Sequence, residues 1–266
     1  MKYPRFMDNT PAPSMLIPLQ KLLIRARCGS KNQVRIKISE GQVDVNGETV
    51  TRFAHPVRPG DQVRFCGQVV EVPPERLVWL MNKPKKHLTQ IDDRQQRPGL
   101  GRYLPDGLPR LFPVGRLDYN SEGALLWTDD GILARRILHP SWHLPKVYQV
   151  KIRGHLDADD PRLEQMRVGI DIGEGVVTQP AEVSLGELRT RATWVRIVLR
   201  EGKNRQIRRM CAAMRYQIVK LRRVAIGPVS LGTLNPRCAR ALTGAELQAL
   251  RLAVGLPPAP TASPTS

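Results

Sequence analysis

The sequence predicts an α+β fold in two parts, a small N-terminal unit at residues 14–68 and a larger mixed α/β domain at residues 78–254. Two observations lead to this prediction. The first part contains short helical patterns followed by hairpin signals. The second contains longer apolar strand patterns and an amphipathic helix. A hydrophobic fraction of 41% in 266 residues is sufficient for packed cores in both parts.

The remaining segments are predicted to lie outside the two units. Residues 69–77 contain two consecutive prolines and are expected to form a linker. Residues 1–13 are polar and rich in proline, which predicts a flexible tail. Residues 255–266 consist almost entirely of Pro, Ala, Thr and Ser, a composition typical of a disordered end.

The small unit begins with two short helices. Leu19, Leu22, Leu23 and Ala26 form the apolar stripe of the first. Residues 30–33, Ser-Lys-Asn-Gln, have the form of a capping box for the second helix, which is expected to end near Gly41. Residues 43–49 then predict a hairpin, because Asn-Gly lies between two short strand patterns, and residues 57–63 add a turn and another strand.

The larger domain is expected to open with a buried strand at residues 77–81, followed by Asn-Lys-Pro. The most distinctive stretch follows at residues 115–123, Gly-Arg-Leu-Asp-Tyr-Asn-Ser-Glu-Gly. It places Arg116 two positions before Asp118, and the apolar run 124–127 after it predicts a buried strand. Asp118 is therefore expected on a loop held by rigid structure, where reactive groups are often found.

Two later segments complete the pattern. In residues 146–152 every second residue is apolar, so Tyr148 shares one face of a strand with Val150 and Ile152. In residues 201–210, Asn204 is a plausible helix N-cap, and an apolar stripe beginning at Ile207 predicts a buried helix face.

The charge of the chain points to a polyanionic partner. Lys and Arg number 42 against 24 Asp and Glu, a net charge of +18, and nucleic acid is the commonest partner of such proteins. A membrane surface is disfavoured, because no apolar run of membrane-spanning length and no basic amphipathic helix with an aromatic face occurs. The four cysteines are widely spaced, so we expect no zinc site, no other metal and a reduced cytoplasmic protein.

Basic residues are concentrated in two places. Residues 200–223 contain nine basic side chains and one acidic one. Both predicted helices of the small unit also offer basic faces, and we expect these to contact RNA phosphates. The residues are Lys21, Arg25, Arg27, Lys31, Arg35 and Lys37.

The stretches 115–123 and 201–210 closely resemble motifs of the RNA pseudouridine synthases of the RsuA/RluB/RluE/RluF type, bacterial enzymes that modify ribosomal RNA. Residues 14–68 resemble the S4 RNA-binding domain that these enzymes carry at the N-terminus. The resemblance covers roughly residues 14–253. It implies a small S4 domain followed by a catalytic domain with a mostly antiparallel central sheet and an active-site cleft.

The resemblance also implies roles for individual residues. Asp118 would be the catalytic aspartate, Arg208 its basic partner and Tyr148 the ring that lies against the target base. Leu221 would pack beneath the base, and Arg116 would fill the place that the flipped base leaves. By the same match we expect Asn204 and Arg205 to bind substrate, and Lys203 and Arg209 to bind RNA. The family needs no cofactor, and a structured stem-loop of ribosomal RNA is the expected partner of a monomeric enzyme.

Other interpretations of the same residues remain open at this point. Asp118 and its polar neighbours are ordinary turn formers, Tyr148 is compatible with a core position, and Arg208 with a solvated helix surface. A non-catalytic RNA-binding or ribosome-assembly factor on the same scaffold is the main alternative function. A DNA-binding protein is a third, motivated only by charge, and no helix-turn-helix spacing or zinc pattern supports it.

Overall fold

The computed structural model describes residues 16–72, 76–89, 99–189 and 191–258, with only the backbone for 187–189. The predicted tail 1–13 lies outside these residues. Residues 259–266 of the predicted C-terminal tail and residues 73–75 of the predicted linker lie outside them as well. The chain divides after residue 74 into two compact units, a small N-terminal unit and a large C-terminal unit.

The small unit packs two helices against short strands. Its core is formed by Leu19, Leu23, Val34 and Ile38 from the helices, together with valines from the strands. The elements in chain order are β1 (Ile17–Pro18), α1 (Leu19–Arg25), α2 (Lys31–Ser39), β2 (Val43–Val45), β3 (Glu48–Thr49), β4 (Pro56–Val57), β5 (Val63–Phe65) and β6 (Gln68–Val69). β1 pairs with β4, and the other strands form a sheet in the order β3-β2-β5-β6.

The local predictions for this unit are confirmed. Ser30 Oγ accepts from the N–H of Gln33, and Gln33 Oε1 accepts from the N–H of Ser30, which is the predicted capping box. Asn46 and Gly47 both have positive φ, 53° and 85°, as a tight hairpin between β2 and β3 requires.

The large unit is built on one mixed sheet. Its elements are β7 (Val78–Lys83), β8 (Phe112–Pro113), β9 (Glu122–Thr128), α3 (Gly131–Leu138), β10 (Lys146–Arg153), α4 (Pro161–Val168), β11 (Glu182–Arg189), β12 (Ala192–Leu199), α5 (Gln206–Ala213), β13 (Ile218–Ile226), β14 (Val229–Ser230), β15 (Ala239–Ala241) and α6 (Gly244–Ala253). The strand order is β11-β12-β10-β13-β9-β7-β15, with β14 beside β13 and β8 beside β9. The predicted strands at 77–81, 124–127 and 146–152 correspond to β7, β9 and β10.

The sheet is antiparallel except at its centre. There β13 and β9 run parallel and pair over only two positions, Arg222 with Glu122 and Arg223 with Gly123. Gly123 has φ +110°, and a Cβ at this position would lie 2.1 Å from the carbonyl oxygen of Arg223. Only glycine therefore allows the two strands to approach here.

Separate cores lie on either side of this junction. Helices α4 and α5 pack on β10, β11 and β12 through residues such as Val150, Ile197 and Met210. Helices α3 and α6 pack on β7 and β9 through residues such as Leu80 and Leu126. Because β9 begins at this junction, the loop that precedes β9 lies where the two halves of the sheet meet.

Beyond α6 the chain still contacts the large unit. Arg136 donates to the carbonyl oxygens of Val254 and Gly255, and Arg251 Nε donates to Pro257 O. Among the described helices none has the length and apolar character needed to cross a membrane.

Candidate active site

Asp118 lies on the loop between β8 and β9, as predicted. The N–H of Ser121 donates to the carbonyl oxygen of Asp118 at 3.0 Å, which closes the turn that leads into β9. On the other side, the Thr89 hydroxyl donates to Leu117 O and accepts from Leu117 N–H. The side chain of Asp118 remains 32% exposed, so the carboxylate is held by its backbone yet accessible.

Arg208, from α5, clamps this turn from one side. Its Nε lies 3.3 Å from Asp118 Oδ2, and its Nη2 donates to Asn120 O and to Ser121 Oγ. The guanidinium therefore fixes the carboxylate and the backbone that carries it at the same time. A lysine could supply the charge but not this set of directed donors.

Lys83, at the end of β7, stabilises the same turn through hydrogen bonds to backbone carbonyl oxygens. Its side chain is fully buried, and Nζ donates to the carbonyl oxygens of Pro84, Asp118 and Ser121 at 3.0, 3.2 and 2.9 Å. Burial lowers the pKa of Lys83 to about 8, although the nearby Asp118 and Glu122 act in the opposite direction. The sequence-based prediction missed this residue, and its only local signal was the Asn-Lys-Pro that follows a buried strand.

A cavity of about 330 Å³ opens beside the carboxylate. It brings together all seven residues predicted to be catalytic or to bind substrate, although they come from distant parts of the sequence. These residues are Arg116, Asp118, Tyr148, Asn204, Arg205, Arg208 and Leu221. A volume of this size accommodates one nucleotide base, since ligand cavities begin at roughly 300 Å³.

Tyr148 and Leu221 form apolar walls of this cavity. Tyr148 lies on β10 and packs partly against the α4–α5 core, while Leu221 on β13 is almost fully buried. Their strands are hydrogen-bonded neighbours, with Val150 opposite Leu221. Both side chains therefore offer apolar contact surface to a planar base in the cavity.

Cations line the deeper part of the cavity. Lys146 lies on β10, and burial together with the nearby Arg223 lowers the pKa of its ammonium group. Arg223 is 5% exposed, and its Nε donates to Ala124 O across the β9–β13 junction. Neither residue was predicted individually, because their role depends on how the strands pair.

The start of α5 differs from the prediction. The N-cap is Arg205, with a left-handed φ of 48° and no side-chain cap, and not Asn204. A network around Glu201 replaces the cap: Gln206 Nε2 donates to Glu201 Oε1, and Gln206 Oε1 accepts from Lys203 N–H. Burial alone would raise the pKa of Glu201, but hydrogen bonds from Lys203, Gln179 N–H and Gln206 outweigh it and lower that pKa.

This arrangement leaves Asn204 and Arg205 exposed at the rim of the cavity. Arg205 Nη1 lies 3.9 Å from Asp118 Oδ2, a second and looser cationic neighbour of the carboxylate. Arg116 is also exposed at this rim.

The other two basic residues predicted near the site differ from each other. Lys203 lines the cavity and pairs with Glu201. Arg209 is turned away, because Nε donates to Ile172 O and Nη2 to Gly173 O, which ties down a neighbouring loop. The RNA contact expected for Arg209 stays a prediction, and these bonds show that its guanidinium is also held by the protein.

The basic residues of the small unit are mostly on its surface. Lys21, Arg25, Lys31 and Arg35 are exposed, and Arg27 is partly exposed. The Arg35 guanidinium lies 4.6 Å from the centre of the Phe53 ring. Lys37 pairs with Glu40 at 3.0 Å, so the charge at this position is partly neutralised.

The cysteines and other potential metal ligands are dispersed. All four cysteines are free, and burial raises the pKa of Cys211 to about 12. Within the described part of the chain, no three His, Cys, Asp or Glu side chains are grouped so that they could hold a metal ion.

Comparison with known proteins identifies the family of the chain. The family model described as RNA pseudouridylate synthase matches residues 77–213, and the S4 domain model matches residues 17–63. An uncharacterised RNA pseudouridine synthase from Aquifex aeolicus is 37% identical, over 91% of this chain and 96% of that protein. The ribosomal large subunit pseudouridine synthase B of Bacillus subtilis is 33% identical, over 88% of this chain and 95% of that protein.

A solved structure supports the same assignment at the level of the fold. A crystal structure of a pseudouridylate synthase superposes with a TM-score of 0.61 and 27% identity, and covers 88% of this chain and 99% of that one. The mostly antiparallel sheet and the cleft at its centre agree with the fold class expected from the sequence. The chain therefore belongs to the RNA pseudouridylate synthase family, and it carries an S4 domain before the catalytic domain.

Proposed function

We propose that this protein converts a specific uridine of ribosomal RNA into pseudouridine, and that Asp118, Arg208 and Tyr148 carry the reaction. The central observation is that one cavity brings together a carboxylate, a guanidinium that contacts it and an aromatic ring. The names of the relatives, one of them a large-subunit rRNA enzyme, support ribosomal RNA as the substrate class.

The reaction uses groups that this cavity supplies. The bond between N1 and C1′ breaks, the base turns, and a new bond forms between C5 and C1′. N1 gains a proton and C5 loses one, so no redox step occurs and no group comes from a second molecule. The Asp118 carboxylate starts this change either as a nucleophile or as a base on the sugar.

Arg208 prepares that carboxylate. Its charge stabilises the negative oxygen, and its contacts with Asn120 and Ser121 hold the turn in one conformation. Preorganisation of this kind lowers the barrier because no rearrangement is needed when charge develops in the transition state.

The base must leave its stack to enter the cavity, at a cost of a few kcal/mol. Arg116 at the rim is positioned to occupy the vacated space, and Asn204 and Arg205 to contact the neighbouring backbone. Tyr148 and Leu221 then hold the free base so that it turns in place. These requirements favour an unpaired uridine in a stem-loop.

The small unit would add affinity without chemistry. We propose that residues 14–68 act as the RNA-binding domain, 69–77 as a linker and 78–254 as the catalytic domain. The exposed basic residues of α1 and α2, foremost Lys21, Arg25, Lys31 and Arg35, supply the phosphate contacts. We further propose that the protein acts as a monomer in the cytoplasm.

A tritium-release assay tests the function. The C5 hydrogen of the target uridine is lost as a proton, so ribosomal RNA transcripts made with [5-³H]uridine should release tritium to water in stoichiometric amounts. Asp118→Asn should abolish the release and leave RNA binding intact. The matched control is Asp157→Asn, which removes an exposed carboxylate that pairs with His155 and does not line the cavity. Equal release by wild type and Asp118→Asn, or none by wild type, would refute the proposal.

A further inference from the structure

The large unit has a second open surface on the side of the sheet opposite the cavity. On β10, Tyr148, Val150 and Ile152 face the α4–α5 core, so Lys151 and Arg153 project from the other face. The same alternation on β13 directs Leu221 and Arg223 to the cavity, and Lys220 and Arg222 to the other face of the sheet. We call this surface the outer sheet face; it comprises Lys151, Arg153, Trp194, Arg196, Lys220 and Arg222.

Strand pairing arranges these side chains in rows. Lys151 is paired with Trp194 on β12 and with Lys220 on β13. In the next outward-facing row, two residues earlier on β10, Gln149 is paired with Arg196 on β12 and with Arg222 on β13. The Lys151 ammonium lies 5.9 Å from the centre of the Trp194 ring, so one cation flanks this aromatic side chain directly.

Folding alone does not explain this charge. Like charges directly opposite each other on neighbouring strands destabilise a sheet, and Lys151 and Lys220 are such a pair. Lys220 is neutralised by Glu122 at 2.7 Å. For Arg153, Arg196 and Arg222, the described residues provide no acidic partner within ion-pair distance.

A second cavity continues the outer sheet face. It has a volume of about 320 Å³, and Lys220 and Arg222 form part of its wall. Its lining also includes the polar residues Asn82, Thr233 and Asn235, together with Glu122, whose carboxylate pairs with Lys220. Asn82 Nδ2 donates to Leu234 O, which holds the 232–236 loop against the end of β7.

Cations around a partly exposed tryptophan, beside a polar cavity, match the chemistry of single-stranded nucleic acid. Bases stack on aromatic side chains regardless of sequence, and a basic groove follows the backbone. An acidic peptide would use the cations but would have less use for a stacking platform.

We propose that the outer sheet face binds a single-stranded RNA segment, with a base stacked on Trp194 and phosphates at Arg196 and Arg222. The identity of this RNA, a flanking segment of the substrate, rests on the proposed function. The binding surface itself does not, because it shares no residue with the Asp118 cavity.

The test uses the full chain and a 20-nucleotide oligouridine. Arg196→Gln combined with Arg222→Gln removes two phosphate contacts, so the slope of log affinity against log salt should fall by about 1.4, at about 0.7 per contact. The matched control is Arg102→Gln with Arg135→Gln, two arginines with exposure to solvent away from both cavities. Oligouridine with 4-thiouridine should also crosslink to the 192–199 peptide, and Trp194→Ala should remove that crosslink.

The outcomes separate this proposal from the proposed function. Equal salt slopes for the double variant and its control, with no crosslink at 192–199, would overturn the outer-face proposal even if the wild type releases tritium. In a second outcome the wild type releases no tritium, but the double variant shows the reduced salt slope of RNA binding and no crosslink at 192–199. This outcome would support RNA binding at the outer sheet face and refute the proposed isomerase function. Preferential binding of poly-glutamate over oligouridine at this surface would identify an acidic protein partner and overturn the proposal.

Discussion

The turn around Asp118 and the basic helices of the small unit are both polar surfaces, but they are built from different kinds of contact. The turn depends on side chains from distant parts of the chain, with Lys83 below it and Arg208 beside it. The basic surface of α1 and α2 depends on local structure, a capping box and an apolar stripe, and its charged side chains are mostly exposed.

This difference separates chemistry from affinity. A reacting group must be held within a fraction of an ångström, which needs donors converging from several elements. A phosphate contact tolerates movement, because charge attraction varies slowly with distance and each contact contributes separately. Substitutions at the turn should therefore change kcat, whereas substitutions on the helices should change KM and its salt dependence.

Replacement of the carboxylate should have the largest effect. Asp118→Asn keeps the size of the side chain but removes the nucleophile or base, so kcat should fall by at least about 10³-fold. Single-turnover tritium release with excess enzyme measures this step directly. An effect confined to KM would break the distinction between the two surfaces.

Replacement of Arg208 should have the second largest effect on kcat. Arg208→Ala removes the contacts with Asp118, Asn120 and Ser121, and kcat should fall by about 10²-fold, as for the loss of one preorganised donor group. Arg208→Lys keeps the charge without the directed donors and should recover only part of the rate. Full recovery by lysine would show that charge alone matters and that the fork geometry does not.

Substitution of Lys83 tests whether its hydrogen bonds to the backbone of the turn are needed for catalysis. Lys83→Met removes three hydrogen bonds to carbonyl oxygens without touching the cavity, and kcat should fall by about tenfold, less than the 10² that a displacement of 1 Å can cause. Lys85→Met, two residues away and partly exposed, is the control and should leave kcat unchanged. Equal rates for the two variants would mean that the turn holds its conformation without Lys83.

The pH dependence of Lys83 sharpens this test. The pKa of Lys83 is about 8 in the folded protein, against 10.5 for an ordinary lysine. As the pH rises through 8, the ammonium group therefore loses one proton and with it one of its hydrogen-bond donors. Activity should fall over this range. Between about pH 8 and 10.5 the unfolded chain binds more protons at this residue, so this residue's contribution to the free energy of unfolding should increase with pH. Lys83→Met should remove both trends, and opposite signs in the wild type would contradict the assignment.

The smallest effect is expected on the helices of the small unit. Lys21→Gln with Lys31→Gln removes two exposed charges, so KM should rise several-fold and the salt slope of RNA binding should fall by about 1.4 to 1.8. Lys37→Gln should do less, because Lys37 is already paired with Glu40. A change in kcat would show that this surface also positions the substrate.

The same contrast explains what the sequence could predict. The capping box at Ser30 and the hairpin at Asn46-Gly47 follow from residues a few positions apart, and both are confirmed. The prediction of Asn204 as the N-cap of α5 was wrong. The contact between Glu201 and Gln206 organises the start of that helix instead and leaves Asn204 at the rim of the cavity.

The cavity itself could be predicted only through the resemblance of its motifs, since no local pattern brings residue 118 to residue 208. Lys83 and the loop contacts of Arg209 were missed for one reason. Two of the three carbonyl oxygens that accept from Lys83 lie 35 and 38 positions away, and the two that accept from Arg209 lie 37 and 36 positions away.

The central claim is that this cavity isomerises one uridine in ribosomal RNA, and a pseudouridine map of cellular ribosomal RNA tests it most directly. Cells that lack the gene should lose pseudouridine at a defined position. The wild-type gene should restore it, and a gene with Asp118→Asn, expressed at the same level, should not. An unchanged map in the deletion strain, or restoration by the asparagine variant, would contradict the account.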